Sequence, residues 1–249
     1  MQQRFILPIL ALSCLASSPL KAEAPLRIAV AANLLPVMEQ IAAQYQIQTG
    51  DSVQLVGGSS GAFFEQLRRG APYDVFYSAD SERPAQLAAQ GLGEPARTYA
   101  CGKLALWTPQ ATPDLNALPE GKLAIAQPDT APYGKAALQA LERSGQLIKV
   151  KEHLVYAQDI GQAYQFVFSG HAPAGLIALS QLTTSQTPAE QYLQIDSALY
   201  DPLVQKQIIL AKDKRLEAAM SFVTYFNNQH TTLHNAGYSL PGEAGCAAQ

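Results

Sequence analysis

Two strand-to-helix junctions rich in small polar residues lie close together near the start of this chain. The first runs from Leu26 to Leu34 and the second from Val53 to Gly61. Each has the pattern of an apolar strand, a tight turn and an amphipathic helix. Because a helix N-terminus carries unpaired backbone N–H groups and a partial positive charge, each junction can bind an anion. Two such junctions that converge across one sheet would enclose an oxyanion.

Asn33 and Ser60 stand at these two predicted helix starts. Asn and Ser are ordinary N-cap residues, so capping is the alternative explanation of each. Two further helix starts follow later in the chain, one at residues 128–134, which prolines make rigid, and one at 158–161. The repetition of this feature favours ligand binding over capping alone.

The first 22 residues have the composition of a secretory signal peptide. Arg4 gives a short positive segment, residues 5–16 are mostly apolar, and Ala22 offers a small residue before a cleavage point. The apolar segment is too short for a membrane span. Cys14 raises the alternative of a lipoprotein, but the residues that precede it make a poor lipobox. We therefore expect cleavage after Ala22 and a soluble periplasmic protein.

Composition and charge exclude several functions. The chain of 249 residues is 48% hydrophobic and 15% charged, which is enough apolar material for a sizeable core. Its net charge of −3 becomes −5 when Arg4 and Lys21 leave with the signal peptide, so we expect no nucleic-acid partner. The four histidines lack the spacing of metal ligands or of a proton relay. We expect no cofactor and no direct metal ligands.

Two cysteines, Cys101 and Cys246, remain after processing. An even pair in an oxidising compartment favours one disulfide, and two separate buried thiols are the alternative. The Gly-rich tail around Cys246 needs tethering, which favours the bridge. Two cysteines without paired histidines do not make a zinc site.

Strand and helix patterns alternate along the mature chain in two groups. This order predicts parallel sheets with right-handed crossovers. Extended segments at 98–107 and 204–212 connect the two groups. The sequence therefore predicts an α/β protein of two lobes, each a mainly parallel sheet flanked by helices, joined by two crossover strands. The ligand is expected in the cleft between the lobes, at the carboxyl ends of the strands.

The predicted lobes are discontinuous in sequence. We assign residues 23–102 together with 203–249 to the N-lobe and residues 103–202 to the C-lobe. The last predicted helix, near residues 216–229, would then complete the N-lobe.

Residues 57–61, with the sequence Gly-Gly-Ser-Ser-Gly, also fit the G-x-S-x-G pattern of α/β-hydrolases. Under this alternative the protein would be a secreted serine hydrolase with Ser59 as its nucleophile and His230 or His234 in the triad. The match is short, and no HGGG-type oxyanion segment precedes it. Paired carboxylates for acid–base catalysis are also absent from the sequence, so we expect no enzyme.

Six segments share a pattern with one known family, and the run from Gly70 to Asp80 is the most specific of them: 31–34, 58–60, 70–80, 102–107, 132–134 and 175–180. In these segments the chain resembles the periplasmic molybdate-binding proteins of ABC importers, which are type II two-lobed solute receptors. The resemblance covers essentially all of the mature chain. It implies a monomeric receptor that binds molybdate or tungstate and delivers it to a permease in the inner membrane.

The resemblance also implies the residues that bind the ligand. In that family, hydroxyl or amide side chains and main-chain N–H groups at helix starts bind the tetrahedral oxyanion. The matching positions here are Asn33 with the backbone of Ala32 beside it, Ser60, and the backbone N–H groups of Tyr133 and Ile160.

One position departs from the family pattern. Many relatives have a tyrosine that donates to the anion where this chain has Ala178. Either Tyr133 or Asn33 replaces that donor, or the affinity is lower.

A molybdate-like dianion needs donors on all sides, whereas a protonated phosphate would prefer an acceptor in the site. Molybdate and tungstate are nearly equal in size and should bind alike, and the smaller sulfate should be rejected. A receptor for another tetrahedral oxyanion such as sulfate is the alternative within this class.

Overall fold

The computed structural model describes residues 24–246, which form two five-stranded sheets flanked by helices. The predicted signal peptide, residues 1–22, lies outside the described residues. The strands are β1 (Leu26–Ala31), β2 (Val53–Gly58), β3 (Val75–Tyr77), β4 (Arg97–Gly102), β5 (Leu104–Trp107), β6 (Leu123–Ala126), β7 (Leu154–Ala157), β8 (Ala174–Ala178), β9 (Tyr192–Gln194) and β10 (Leu203–Ile209). The α-helices are α1 (Leu35–Thr49), α2 (Ser60–Arg68), α3 (Glu82–Ala89), α4 (Pro132–Arg143), α5 (Leu147–Val150), α6 (Ile160–Phe168), α7 (Leu179–Thr184), α8 (Lys214–Asn227) and α9 (His230–Asn235).

The first sheet has the strand order β2-β1-β3-β10-β4 and, with its helices, forms the N-lobe. Strand β1 is parallel to β2 and β3, while β10 is antiparallel to β3 and β4. Helix α1 covers the sheet with a buried stripe at helical spacing that includes Val37, Met38 and Ile41. The C-terminal helix α8 packs beside it, where the ring of Phe222 meets Tyr45 edge-on at 5.1 Å. The N-lobe thus takes its core from both ends of the chain.

The second sheet has the order β7-β6-β8-β5-β9 and forms the C-lobe. Strand β6 is parallel to β7 and β8, and β5 is antiparallel to β8 and β9. Every residue of β6 and β8 is buried, as expected for central strands covered on both faces. Within each sheet, three parallel strands therefore lie side by side, and the next strand in the sheet is an antiparallel crossover strand.

The chain passes between the lobes twice. The extended segment predicted at 98–107 is two strands, because it leaves the first sheet after Gly102 and enters the second at Leu104. The return crossing runs from β9 to β10. The α/β architecture of two lobes joined by two crossover strands is confirmed. The residue bounds assigned to the lobes stay a prediction, since sheet membership alone does not define folding units.

Cys101 and Cys246 form a disulfide in the structure. Cys101 lies on β4, where its N–H and C=O pair with the backbone of Ser239 at 2.8 and 3.0 Å. The C-terminal segment is therefore held along the crossover strand, which brings Tyr238 beside the junction of the lobes. No helix in residues 24–246 is both long and apolar enough to cross a membrane.

Candidate functional site

The turn between β1 and α1 contains Ala32 and Asn33. The N–H of Ala32 donates to the carbonyl of Gly58 at 2.9 Å, so this backbone donor is already used. Asn33 is buried, and its N–H has no acceptor among the described residues. The N-cap position of α1 is Leu34, with no side-chain cap, so capping does not explain Asn33.

Ser59 and Ser60 have different roles at the start of α2. Ser59 is the N-cap, and its Oγ accepts from the N–H of Ala62 at 3.3 Å. Ser60 is the first helical residue and is buried, and its Oγ accepts from the N–H of Ala79 at 2.9 Å. The hydroxyl proton of Ser60 has no acceptor among the described residues and is free to donate. Ser59 has no histidine partner within residues 24–246.

The C-lobe contributes two helix starts. Tyr133 follows Pro132 at the beginning of α4, and the fixed φ of proline favours this first turn. Ile160 begins α6, where Asp159 is the N-cap and accepts from the N–H of Gln162 at 2.9 Å. The backbone N–H groups of Tyr133 and Ile160 have no acceptor among the residues that the structure describes.

All five residues singled out by the sequence line one small cavity between the lobes: Ala32, Asn33, Ser60, Tyr133 and Ile160. Helix starts and turns of both lobes meet there. The lining holds no Lys, Arg or His, and its one carboxylate, on Asp159, already caps α6. Over residues 24–246, no three His, Cys, Asp or Glu residues are placed to bind a metal ion. Neutral donors and helix dipoles give this cavity the chemistry that suits a small anion.

Hydrogen bonds between the lobes close the rim of the cavity. The N–H of Gly61 donates to the carbonyl of Thr130 at 2.8 Å. Arg83 is ion-paired with Asp80 in its own lobe, and its Nη2 donates to the carbonyl of Asp129 at 3.1 Å. A Cβ on Gly61 would lie 2.8 Å from Thr130 Cα, so the close approach of the lobes requires glycine there.

A buried polar network lies beside the cavity and connects the two lobes. Its centre is Gln205 on the crossover strand β10, next to a β-bulge. Gln205 Oε1 accepts from Tyr99 Oη at 2.6 Å and from Asn33 Nδ2 at 3.0 Å, and Gln205 Nε2 donates to Tyr133 Oη at 3.2 Å. A side chain at Gly102 would lie 2.1 Å from Tyr133 Oη, so this glycine leaves room for the network.

The tyrosines of this network keep their hydroxyl protons. Burial raises the pKa of Tyr99, Tyr133 and Tyr238 well above the usual range, so all three hydroxyls stay protonated at physiological pH. Tyr238 Oη accepts from Asn33 Nδ2 at 2.9 Å and donates to the Asn33 carbonyl at 3.0 Å.

Ala178 lies at the end of β8 and is fully buried. Two residues further on, Ser180 Oγ donates to the carbonyl of Asn33 at 3.0 Å. The C-lobe therefore contacts the first junction through Ser180, and the tyrosine hydroxyl that bonds to Asn33 comes from Tyr238 in the C-terminal segment. Sequence reasoning missed Gln205, Tyr99 and Tyr238, and the sequence of β10 did not mark Gln205, because Lys206 and Gln207 follow it in the same strand.

Two lobes that close over a cavity of neutral donors define a two-lobed receptor for a small anionic solute. The chain belongs to the bacterial extracellular solute-binding protein family, whose sequence model matches residues 26–238.

Similarity to known proteins places this chain close to one group within that family. The molybdate-binding protein ModA of Azotobacter vinelandii is 37% identical over 228 residues, which cover 87% of this chain and 90% of that protein. ModA of Rhodobacter capsulatus is 36% identical over 78% of this chain and 81% of its own length. The solved structure of the Azotobacter vinelandii periplasmic molybdate-binding protein matches with a TM-score of 0.81 at 34% identity, over 87% of this chain and 99% of that one. The resemblance seen in the sequence is thus confirmed.

Proposed function

We propose that this protein is a receptor that binds molybdate or tungstate in the cavity between its lobes and delivers it to an ABC permease in the inner membrane. One observation carries the proposal: one cavity is lined by helix starts and turns of both lobes whose backbone N–H groups include four without an acceptor among residues 24–246, and its lining contains no Lys, Arg or His. The proposed ligands are the backbone N–H groups of Asn33, Ser60, Tyr133 and Ile160 and the hydroxyl of Ser60. Ala32, whose N–H is used within the N-lobe, contributes its methyl group to the wall.

The donor set favours a fully deprotonated tetrahedral dianion. Each oxygen of such an anion only accepts hydrogen bonds, and neutral donors at helix N-termini balance its charge without a buried cation. The names of the two relatives with 36–37% identity support molybdate as the solute. Sulfate has the same charge and is smaller, so donors placed for molybdate would not reach it from every side.

The cellular role follows from the same proposal. The receptor acts in the periplasm as a monomer, needs no cofactor, and binds no nucleic acid. It is not an enzyme, because the Ser59 hydroxyl caps α2 and the nucleophile-elbow alternative has no histidine beside it in the described part of the chain. The structural relative is itself named as a periplasmic binding protein, which supports this compartment.

Calorimetric titration of the mature protein tests the proposal. We expect molybdate and tungstate to bind with similar affinity, and sulfate and phosphate to bind at least about 100-fold more weakly, because a missing or reversed hydrogen bond to a charged ligand has that effect. Molybdate at a thousandfold over its Kd should also stabilise the folded state by about 4 kcal/mol, measured as a rise in Tm. A protein that responds to neither molybdate nor tungstate would contradict the proposal, and a preference for sulfate would favour the alternative receptor.

A further inference from the structure

The side-chain amide of Asn33 presents the wrong end for an anion site. Its Nδ2 donates to Gln205 Oε1 at 3.0 Å and to Tyr238 Oη at 2.9 Å, which uses both amide hydrogens. Its Oδ1 is buried and has no partner within residues 24–246. Asn33 lines the anion cavity, and a lone oxygen there would repel an oxyanion instead of binding it.

We propose that Gln205 is a specificity-determining positioning residue. It sets which end of the Asn33 amide faces the cavity, and the two amides rotate together when a fully deprotonated oxyanion binds. The inference rests on the proposed function and deepens it, because it concerns the same site. The two ends of a primary amide have nearly the same shape, so rotation by half a turn needs no extra space.

The surroundings of Gln205 accept the rotated form. Rotation places Nε2 where Oε1 now lies, 2.6 Å from Tyr99 Oη and 3.0 Å from the Asn33 amide. Tyr99 Oη also lies 3.1 Å from the Ser78 carbonyl, so its single proton turns from Gln205 to that carbonyl and its oxygen then accepts from Gln205. The rotated Oε1 lies near Tyr133 Oη, now 3.2 Å from Nε2, and accepts the proton of that hydroxyl.

The surroundings of Asn33 accept it as well. Rotation turns Oδ1 toward the Nε2 of Gln205 and the hydroxyl of Tyr238, so the unpaired oxygen gains two donors. Tyr238 redirects its proton from the Asn33 carbonyl to Oδ1, and that carbonyl keeps the bond from Ser180 at 3.0 Å. Nδ2 then faces the cavity with two hydrogens free for an anion.

The two amides must rotate together. If Asn33 turned alone, its Oδ1 would face Gln205 Oε1 at about the present 3.0 Å, and two acceptors would be in contact. Gln205 therefore decides between a donor and an acceptor at the cavity wall. The donor form selects anions without a proton, such as molybdate and tungstate, and the acceptor form selects anions that carry an O–H group.

Gln205→Glu tests this role in mildly alkaline buffer. The carboxylate only accepts, so it keeps Asn33 Nδ2 turned inward and Oδ1 toward the cavity. Molybdate is compared with hydrogen arsenate, because both are tetrahedral dianions under these conditions and hydrogen arsenate alone carries an O–H. Repulsion by the new carboxylate weakens the binding of both anions alike. The ratio of their Kd values therefore reports only whether the cavity wall donates a hydrogen bond to the anion or accepts one from it.

We expect the preference for molybdate over hydrogen arsenate to fall about 100-fold in Gln205→Glu relative to the wild type. Gln207→Glu is the matched control, because Gln207 is also buried on β10 but bonds to Asn227 at 3.0 Å. The preference should be unchanged in this control. An unchanged preference in Gln205→Glu would overturn the role of Gln205. The proposed function would still stand in that case if the wild type binds molybdate. A wild type that binds neither molybdate nor tungstate would overturn both.

The wild type gives a second measurement that does not depend on the folding of a variant. In the molybdate complex, nuclear Overhauser contacts from the Gln205 side-chain NH2 protons should reach the ring of Tyr99. Contacts with the ring of Tyr133 instead would show that the amide had not rotated, and would overturn the inference.

Discussion

Replacement of Ser60 by alanine is expected to lower the affinity for molybdate about 100-fold. The hydroxyl of Ser60 accepts from the N–H of Ala79, so its proton is directed to the ligand, and a lost hydrogen bond to a charged group in a dry cavity is not replaced by water. Calorimetry measures the loss. The substitution also leaves the N–H of Ala79 unpaired, so the Tm of the ligand-free variant is measured alongside to establish that it is folded.

Ser59→Ala is the matched control for this result. Ser59 caps α2 through Ala62 and does not bind the ligand in this account, so its loss should cost about 1 kcal/mol of stability and change the affinity little. The opposite order would contradict the assignment of the two serines. Reaction of Ser59 with a fluorophosphonate probe, together with absent oxyanion binding, would favour the hydrolase alternative.

Gly61→Ala is expected to prevent full closure of the lobes and to lower molybdate affinity by about 100-fold. The new methyl group would lie 2.8 Å from both Cα and the carbonyl oxygen of Thr130, and backbone atoms cannot move aside as a flexible side chain would. The donors of Tyr133 and Ile160 would then no longer reach an anion held by the N-lobe. Small-angle scattering with saturating molybdate should show a more extended particle than the wild type.

The ligand-free Gly61→Ala protein should be as stable as the wild type or more so, because alanine favours a helix more than glycine does. Gly161→Ala is a graded control. Its methyl group would lie 3.1 Å from Asp159 Oδ1 in its own lobe and 3.4 Å from Ala32 Cβ in the other lobe, and both distances exceed the 2.8 Å contact at Gly61, so we expect a much smaller loss of affinity. Equal losses in both variants would contradict the claim that the contact of Gly61 with Thr130 limits closure.

The positions of the junctions were predictable from local patterns. Helix α1 is marked by apolar residues that recur at helical spacing, and Gly50 ends it with a φ of 81°. The buried strand β6 is marked by a run of four apolar residues, Leu123–Ala126. The sequence placed Ser60 at the second junction. It did not show which of the two serines is the N-cap, because Ser59 and Ser60 both have the side chain of a cap.

The long-range contacts of the site were not predictable in this way. Asn33 bonds to Gln205 and Tyr238, which lie 172 and 205 residues further along the chain, and no local pattern reports such pairs. The extended segment at 98–107 was predicted without an internal break, although the lobe boundary was placed between residues 102 and 103, where the structure ends β4 and then begins β5 at Leu104. Short helices such as α7 were missed because six residues are too few to establish a period.

The central claim is that neutral donors from both lobes enclose a molybdate dianion in this cavity. Crystallography of the molybdate complex, with data collected at the molybdenum absorption edge, tests it most directly. The account predicts one strong anomalous peak in the cavity, with its oxygens at hydrogen-bonding distance from the N–H groups of Asn33, Ser60, Tyr133 and Ile160. A peak bound instead by lysine, arginine or histidine side chains at another surface, with the cavity empty, would contradict it.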